Sequence, residues 1–164
     1  MAEVAKSNLL KVEADVSGLA GASIVIVRTE WNDAIVSALE EGCRRILDEA
    51  RVVYRVVTVP GAFEIPFTIR AYWDAHKYKD DRPRAFIALG CVLRGDTPHF
   101  EYVCRAVTDG VLGLNMTLPL PTIFGVLTVD NEQQAQQRIG GEHGNKGAEA
   151  AITALKMISL QKTF

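Results

Sequence analysis

The run AFIALGCVL at residues 85–93 constrains the fold more than any other stretch, because every residue in it is apolar or glycine. A strand with one wet face would alternate apolar and polar residues, so this run predicts a strand covered on both faces, as in a parallel sheet. Residues 94–95 end the strand. Thr97 followed by Pro98 then predicts a helix with Thr97 as its N-cap. Apolar residues recur at helical spacing as far as Leu114, which predicts that one helix face packs on the sheet.

The rest of the chain alternates strand patterns with helical ones. The other predicted strands are residues 22–27, 52–59 and 122–129. The other predicted helices are residues 33–50, a helix with Pro66 in its first turn that runs to about residue 76, residues 130–138, and residues 148–160. Residues 28–32 are predicted to form a loop, Asp130 and Gln133 a capping box, and residues 140–147 a flexible elbow. Short connections predict an α/β domain of three layers, α/β/α, around a mainly parallel sheet of four strands. We expect residues 1–164 to form this single domain, because no linker or repeat divides them.

The N-terminal residues leave two alternatives open. Residues up to about 7 are predicted to be mobile, while residues 8–14 could form a short edge strand or pair with a neighbouring chain. Charged residues interrupt this stretch, so no secretory signal is expected, and no later run reaches membrane-spanning length. An odd number of cysteines then favours reduced thiols in the cytoplasm. Their apolar surroundings predict that Cys43, Cys91 and Cys104 lie in the core.

Charge and composition argue against several classes of function. The net charge of −2 comes without a basic stripe, so binding to nucleic acid or to a membrane surface has little electrostatic support. Apolar residues make up 48% of the chain, enough to bury a core without a metal or a disulfide. His76, His99 and His143 have no ligand spacing to one another or to cysteine, so no metal site is expected. The sequence has no glycine-rich nucleotide motif and no Ser-His-Asp pattern.

One edge of the predicted sheet collects the special residues. In open parallel sheets, ligands bind outside the carboxyl ends of the strands. This rule selects the loops after the first three strands, which contain Trp31, residues 61–64 and residues 94–99. The helix start after Gly95 offers unpaired N–H groups and a positive dipole end, which favour phosphate. In the alternative interpretation, this loop binds no phosphate and only turns the chain and caps the helix. The Asp96 carboxylate would repel phosphate unless it points away from the loop.

Several side chains carry two interpretations each. His99, in the first helical turn, is either an ordinary surface histidine or a proton acceptor. Glu64 is either a helix-start carboxylate or a group that binds hydroxyls. Trp31 and Phe124 are more often core residues than stacking platforms. The residue pattern alone leaves these choices open.

Four motifs occur in order along the chain: VPGAFEIP (residues 59–66), LGCVLRGDTPHFEYV (89–103), FGVLTVDNEQQA (124–135) and GNKGAEAA (144–151). Together they resemble the lumazine synthases, and the resemblance spans nearly the whole chain. It implies a flavodoxin-like fold and a transferase that condenses 5-amino-6-(D-ribitylamino)uracil with 3,4-dihydroxy-2-butanone 4-phosphate to 6,7-dimethyl-8-ribityllumazine. That reaction is the penultimate step of riboflavin biosynthesis, and the resemblance implies no cofactor.

The resemblance also assigns roles in binding the pyrimidine substrate. Trp31 matches the aromatic side chain that stacks on the pyrimidine ring, and Lys146 matches a lysine near the pyrimidinedione. The residues that match the ribityl-binding loop are Ala62, Phe63 and Glu64. The residues that match the strand end facing the pyrimidine and ribityl groups are Cys91, Val92 and Leu93.

Other matches concern phosphate and proton transfer. Asp96 and Thr97 match the loop that holds phosphate, where the backbone of Asp96 would serve. Arg138 matches the phosphate-binding arginine and His99 the proton-transfer residue, and both are expected to be catalytic. Phe124 matches an aromatic residue supplied by the adjacent subunit. Sheet geometry agrees, because Phe124 lies near the start of its predicted strand whereas the others follow strand ends.

The resemblance implies small-molecule substrates and a homo-oligomer, either a pentamer or a shell of sixty chains, with association with riboflavin synthase as a further expectation. Residues 140–147 show no insertion of the kind associated with members that stop at five, which favours the shell. Two other classes stay open: a non-catalytic ligand-binding module of the same architecture, and a shell protein that has lost the chemistry. The presence of His99, Arg138 and Lys146 speaks against the second.

Overall fold

The computed structural model describes residues 16–164, so both alternatives for residues 8–14 lie outside the described residues. Its strands are Ser23–Thr29 (β1), Val53–Val59 (β2), Ala85–Leu93 (β3), Thr122–Val129 (β4), Ile139–Gly141 (β5) and Gly144–Asn145 (β6). Its helices are Asp33–Glu49 (α1), Ile65–His76 (α2), His99–Thr117 (α3), Glu132–Gln136 (α4) and Lys146–Gln161 (α5). Short 3-10 turns span Val16–Leu19 and Ala62–Glu64.

Strands β1 to β4 form one sheet in the order β2-β1-β3-β4, with every neighbouring pair parallel. β3 lies between β1 and β4, and it is buried over all but its last two residues. Its bounds and those of β4 match the predicted strands residue for residue. The predicted parallel sheet of four strands is therefore confirmed.

Alternate residues of β1 show why the sheet forms the middle layer. Ile24 and Ile26 pack in a cluster with residues of α1 and α5, whereas Val25 and Val27 pack in a second cluster with residues of α2 and α3. All four side chains are completely buried. Since successive strand residues point to opposite faces, apolar residues at every position require helices on both sides. The three-layer α/β/α fold predicted from the sequence is confirmed.

The first strand runs two residues beyond its predicted end, because Arg28 belongs to it rather than to the loop. The Arg28 guanidinium donates a hydrogen bond to Glu40 on α1 at 2.8 Å and also pairs with Asp33. Its side chain is only 13% exposed. A charge can stay in a covered strand when it is paired in this way. The sequence pattern shows the charge but not its partners.

Two helix starts differ by one residue from the prediction. α3 begins at His99, and Pro98 rather than Thr97 holds the N-cap position with helical angles, while the Thr97 hydroxyl accepts a long bond of 3.4 Å from the His99 N–H. α4 is capped by Asn131, whose side chain accepts from the Gln134 N–H at 2.9 Å. The predicted capping box of Asp130 and Gln133 is therefore wrong, because the extended backbone of Asn131 places its own side chain for that bond.

An ordered hairpin replaces the predicted flexible elbow. β5 and β6 pair antiparallel, and Gly140 and Gly144 adopt φ angles of 123° and 71°, a region that glycine enters at little cost. α4 ends before the predicted residue 138, and α5 begins at Lys146 rather than Ala148. The Asn145 side chain caps α5 by accepting from the Ala148 N–H at 3.0 Å.

The start of α5 lies directly on the backbone of α1. A methyl group added to Gly147 would stand 1.8 Å from the Leu39 carbonyl oxygen, and the Asn145 side chain donates to the Ala38 carbonyl at 3.0 Å. Because a backbone atom cannot rotate away as a side chain can, this contact admits only glycine at position 147. It fixes the position of α5 and of the residues just before it.

We expect Gly147→Ala to lower the free energy of unfolding by about 3 kcal/mol, the upper end of the usual cost of overpacking. Chemical denaturation monitored by circular dichroism measures it. Gly113→Ala is the matched control, since nothing lies within 4 Å of its added methyl in the middle of α3. The control should gain roughly 0.5–1 kcal/mol from the better helix propensity of alanine. Equal effects at the two positions would contradict the close contact of α5 with α1.

Candidate functional site

A cavity of about 560 Å³ lies outside the carboxyl ends of β1, β2 and β3, and we call it the strand-end cavity. Eight of the predicted site residues line it: Trp31, Ala62, Phe63, Glu64, Cys91, Val92, Leu93 and His99. The remaining lining residues are Asn32, Gly61 and Val103. The position is the one expected for a ligand site in an open parallel sheet.

Hydrogen bonds to the loop after β2 and to strand β3 hold the loop that carries Trp31. The Trp31 N–H donates to the Pro60 carbonyl at 3.3 Å, and the Asn32 side-chain amide donates to the Cys91 carbonyl at 2.8 Å. The Trp31 ring is 73% exposed, so it is not a core residue. An exposed ring on a fixed loop can stack on a planar ligand.

Asn32 was not singled out from the sequence. It precedes α1 in the left-handed conformation with φ 57°, which asparagine adopts more readily than most other residues. Its side chain reaches a residue far away in the sequence, so no local pattern reveals the bond to Cys91. The available signal was its type, an asparagine just before a helix that follows a buried strand.

Glu64 and Trp31 flank the same glycine. A methyl group on Gly61 would lie 3.1 Å from a carboxylate oxygen of Glu64 and 3.5 Å from the Trp31 ring. Gly61 therefore lets the carboxylate and the ring approach each other. Phe63, next in the turn, is 62% exposed. The group offers two aromatic faces and one carboxylate, which suits a flat heterocycle that carries hydroxyls.

The Cys91 thiol is not a nucleophile at neutral pH. Burial raises the pKa of Cys91 to about 11, and burial followed by the nearby Glu40 carboxylate raises the pKa of Cys43 to about 12. Both thiols stay protonated, which excludes thiolate chemistry. Cys43 and Cys91 lie in the core as predicted, whereas Cys104 is only half-buried. The prediction for Cys104 is corrected because its helical position is at the edge of the buried face.

The loop after β3 lies outside the strand-end cavity. Asp96, Thr97 and His99 are exposed, and only His99 lines that cavity. Arg94 at the start of the loop bonds to Asp130 at 2.7 Å and to Glu101. Its hydrogen bonds lower the pKa of both carboxyls below their usual values, so both are ionised at neutral pH.

The other three predicted residues lie in a different cavity. Phe124, Arg138 and Lys146 line a space of about 800 Å³ along β4, which is an edge strand of the sheet in the described residues 16–164, and we call this space the β4-edge cavity. Phe124 is 42% exposed and pairs with Ala88, in the first half of β4. It lies away from the carboxyl end of the strand, as predicted.

The β5–β6 hairpin brings Arg138 and Lys146 together. The Lys146 N–H donates to the Arg138 carbonyl at 2.9 Å. The Arg138 guanidinium donates to the Gln134 carbonyl at 2.8 Å. The Lys146 ammonium is buried and lies 2.8 and 2.9 Å from the two carboxylate oxygens of Glu149. Gln134 and Glu149 therefore orient the two cations, and neither was anticipated from the sequence.

The described part of the chain offers little for other classes of site. Among residues 16–164, no group of three or more His, Cys, Asp or Glu side chains could hold a metal ion. Across that same range, none of the helices is both long and apolar enough to cross a membrane.

Comparison with known proteins gives a consistent result. The sequence profile of 6,7-dimethyl-8-ribityllumazine synthase matches residues 21–162. The chain is 42% identical over 160 residues to the 6,7-dimethyl-8-ribityllumazine synthase of Cytophaga hutchinsonii, with 94% of this chain and 96% of that protein covered. The chain belongs to the 6,7-dimethyl-8-ribityllumazine synthase family. It is also 46% identical over 142 residues to the protein of that name from Porphyromonas gingivalis, with 85% of each covered.

The lumazine synthase family inferred from four sequence motifs is thus confirmed. All the predicted site residues, from Trp31 to Lys146, lie within the matched region. In a single chain of this lumazine synthase fold they form two groups, eight residues in the strand-end cavity and three in the β4-edge cavity. Asp96 and Thr97 line neither cavity and lie on the exposed loop after β3.

Proposed function

We propose that the chain condenses 5-amino-6-(D-ribitylamino)uracil with 3,4-dihydroxy-2-butanone 4-phosphate to 6,7-dimethyl-8-ribityllumazine, the penultimate step of riboflavin biosynthesis. Family membership supports the reaction. The observation that carries the assignment to residues is the grouping of eight predicted positions in the strand-end cavity. A site for a flat, hydroxylated substrate needs aromatic walls and polar groups at the strand ends, and this cavity supplies both.

The pyrimidine substrate occupies the strand-end cavity. Trp31 stacks on its ring, and the exposed indole on a hydrogen-bonded loop supports that role. Glu64 accepts hydrogen bonds from the ribityl hydroxyls, with Ala62 and Phe63 beside it. The residues at the end of β3 contribute backbone groups; Cys91 cannot supply a thiolate, since burial raises its pKa to about 11.

The phosphorylated ketone lies between two chains. Its phosphate meets the loop of Asp96 and Thr97 at the start of α3, where backbone N–H groups favour an anion. Arg138 and Lys146 come from the neighbouring chain together with Phe124, because the three share the β4-edge cavity. A head-to-tail interface brings that edge of one chain against the strand-end cavity of the next.

The chemistry then proceeds by condensation. The 5-amino group of the pyrimidine attacks the ketone to form a Schiff base with loss of water. Elimination of phosphate then gives an enol, and its tautomerisation creates a second carbonyl. The ribitylamino nitrogen attacks this carbonyl and closes the ring with loss of a second water. Holding two reactive partners together supplies most of the acceleration. Arg138 and the start of α3 stabilise the departing phosphate. His99, on the rim of the strand-end cavity, relays protons.

The head-to-tail interface closes into a homopentamer, and pentamers assemble into a shell of sixty chains. Association with riboflavin synthase and residence in the cytoplasm complete the proposal. The hairpin at residues 139–145 is short, which supports the larger shell.

Multi-angle light scattering at neutral pH should give a mass of sixty chains. A mass of five chains would contradict the shell while keeping the shared site, and a monomer would contradict both.

The first test of the function is to mix the chain with its two substrates and to measure lumazine fluorescence. The first test of the residue roles is the variant Arg138→Ala. The variant should raise the KM of the phosphorylated ketone on the order of tenfold to a hundredfold, since a charge-assisted contact is lost, while the KM of the pyrimidine changes little. The exposed Arg45, which lines neither cavity, provides the control Arg45→Ala. Equal changes in both KM values would contradict the role, and an inactive native chain would point to a shell or binding protein.

Mixed assemblies test whether the site is shared. We expect chains with His99→Ala and chains with Arg138→Ala, co-expressed with different tags and purified through both, to form some wholly native sites. With equal mixing, about a quarter of the sites receive neither defect if the two residues come from different chains. Steady-state activity at a ketone concentration below its KM should then exceed the mean of the two parents.

The matched control for this experiment combines His99→Ala with Trp31→Ala, because both residues line the strand-end cavity of one chain. Every site in that mixture carries one defect, so its activity should equal the mean of its parents. If the His99 and Arg138 mixture also shows only the mean, the site belongs to a single chain.

A further inference from the structure

Arg94 connects the loop after β3 to two neighbouring elements. Its N–H donates to the Val129 carbonyl at 2.9 Å, which joins it to the end of β4. Its guanidinium bonds through Nε to Asp130 and through Nη1 to Glu101. The same group lies over the Phe100 ring, 4.1 Å from the ring centroid. The direction of the side chain is thus fixed on three sides.

The carboxylates around this loop present an electrostatic problem. Glu101 stands on the first turn of α3, Asp130 follows β4 directly, and Asp96 lies in the loop itself. Three negative charges therefore surround the segment where the proposed function places a doubly negative phosphate. Within residues 94–101, Arg94 is the one permanently charged cation in the sequence.

We propose that Arg94 is a positioning residue whose ion pairs with Glu101 and Asp130 shield the loop and so permit phosphate to bind there. The proposal rests on the function proposed above. Arg94 acts through the two carboxylates and does not itself hold the substrate, because Nε and Nη1 are engaged with them and one face of the guanidinium lies on Phe100.

The size of the effect follows from Coulomb's law in water. Arg94 supplies one positive charge, and the loss of one positive charge at about one Debye length from a phosphate dianion weakens its binding about twofold at physiological ionic strength and about fourfold at ~0.01 M salt. A like charge on the loop leaves the neutral pyrimidine almost unaffected. Shielding therefore predicts a change in one KM alone, and a change that salt reduces.

The decisive experiment compares Arg94→Gln with the triple variant Arg94→Gln, Glu101→Gln, Asp130→Asn. The single variant should raise the KM of the phosphorylated ketone about fourfold at low salt and less at high salt, with the pyrimidine KM unchanged. The triple variant should return the ketone KM to the native value or below it, because the two carboxylates are removed together with the guanidinium. Arg94→Lys, which keeps the charge, should stay close to native.

Three outcomes would overturn the proposal. If the triple variant keeps the raised ketone KM, Arg94 either binds phosphate directly or only stabilises the folded loop. If both KM values rise together with a lower melting temperature, the role of Arg94 is to stabilise the fold. If Arg94→Gln leaves the ketone KM unchanged, as the surface control Arg45→Gln should, Arg94 has no role in binding.

Binding of inorganic phosphate, followed by the broadening of its ³¹P signal, separates this proposal from the function. Phosphate should bind more weakly to Arg94→Gln than to the native chain, and the triple variant should recover binding. That result without lumazine formation would support the shielding and contradict the reaction. Lumazine formation with equal phosphate binding by all variants would contradict the shielding alone.

Discussion

The burial of β3 on both faces is the constraint on which the rest of the structure depends. β3 is paired to β1 on one side and β4 on the other, and its residues are covered as far as Cys91. Burying apolar surface contributes about 25 cal/mol per Å², so a strand enclosed in this way cannot shift without a large loss. Val92 and Leu93 are the first residues of β3 that emerge, and they emerge into the strand-end cavity. The position of the candidate site thus follows from the core.

The proposed division of the site follows from β4 being an edge strand of the sheet that residues 16–164 form. An open edge presents unpaired backbone groups and is a liability for unwanted association. Phe124 and Thr128 are exposed along this strand, whereas Leu127 is buried. In the proposed assembly, a neighbouring copy seated there would cover the edge and place Arg138 against the next strand-end cavity. The same contact would hold the assembly together and complete the chemistry, which would account for the two incomplete groups in one chain.

Sequence-based predictions of strand and helix bounds were most accurate where local interactions determine the structure. β3 and β4 were predicted to the residue, because each is a largely apolar run that ends at a charged residue, Arg94 or Asp130. The errors arise where distant contacts decide. Arg28 belongs to a strand because Glu40 pairs with it, and Asn32 lines the cavity through a bond to Cys91, neither of which local spacing reveals. Adjacent cap-forming residues, Asp130 and Asn131, explain the one-residue error at α4. The residue roles came from four motifs in order rather than from periodicity.

The charges of the described residues show which cation can meet an anion. Lys146 is paired with the Glu149 carboxylate, and Arg94 with two carboxylates, so neither brings a net positive charge to a ligand. Arg138 instead bonds to the neutral carbonyl of Gln134, which orients the guanidinium without cancelling its charge. An arginine held in this way keeps its attraction for a departing phosphate. Because Arg138 lies on the β4 edge, the proposed function brings that attraction to the strand-end cavity across a chain interface, so catalysis in this protein would depend on assembly through electrostatics as well as through shape.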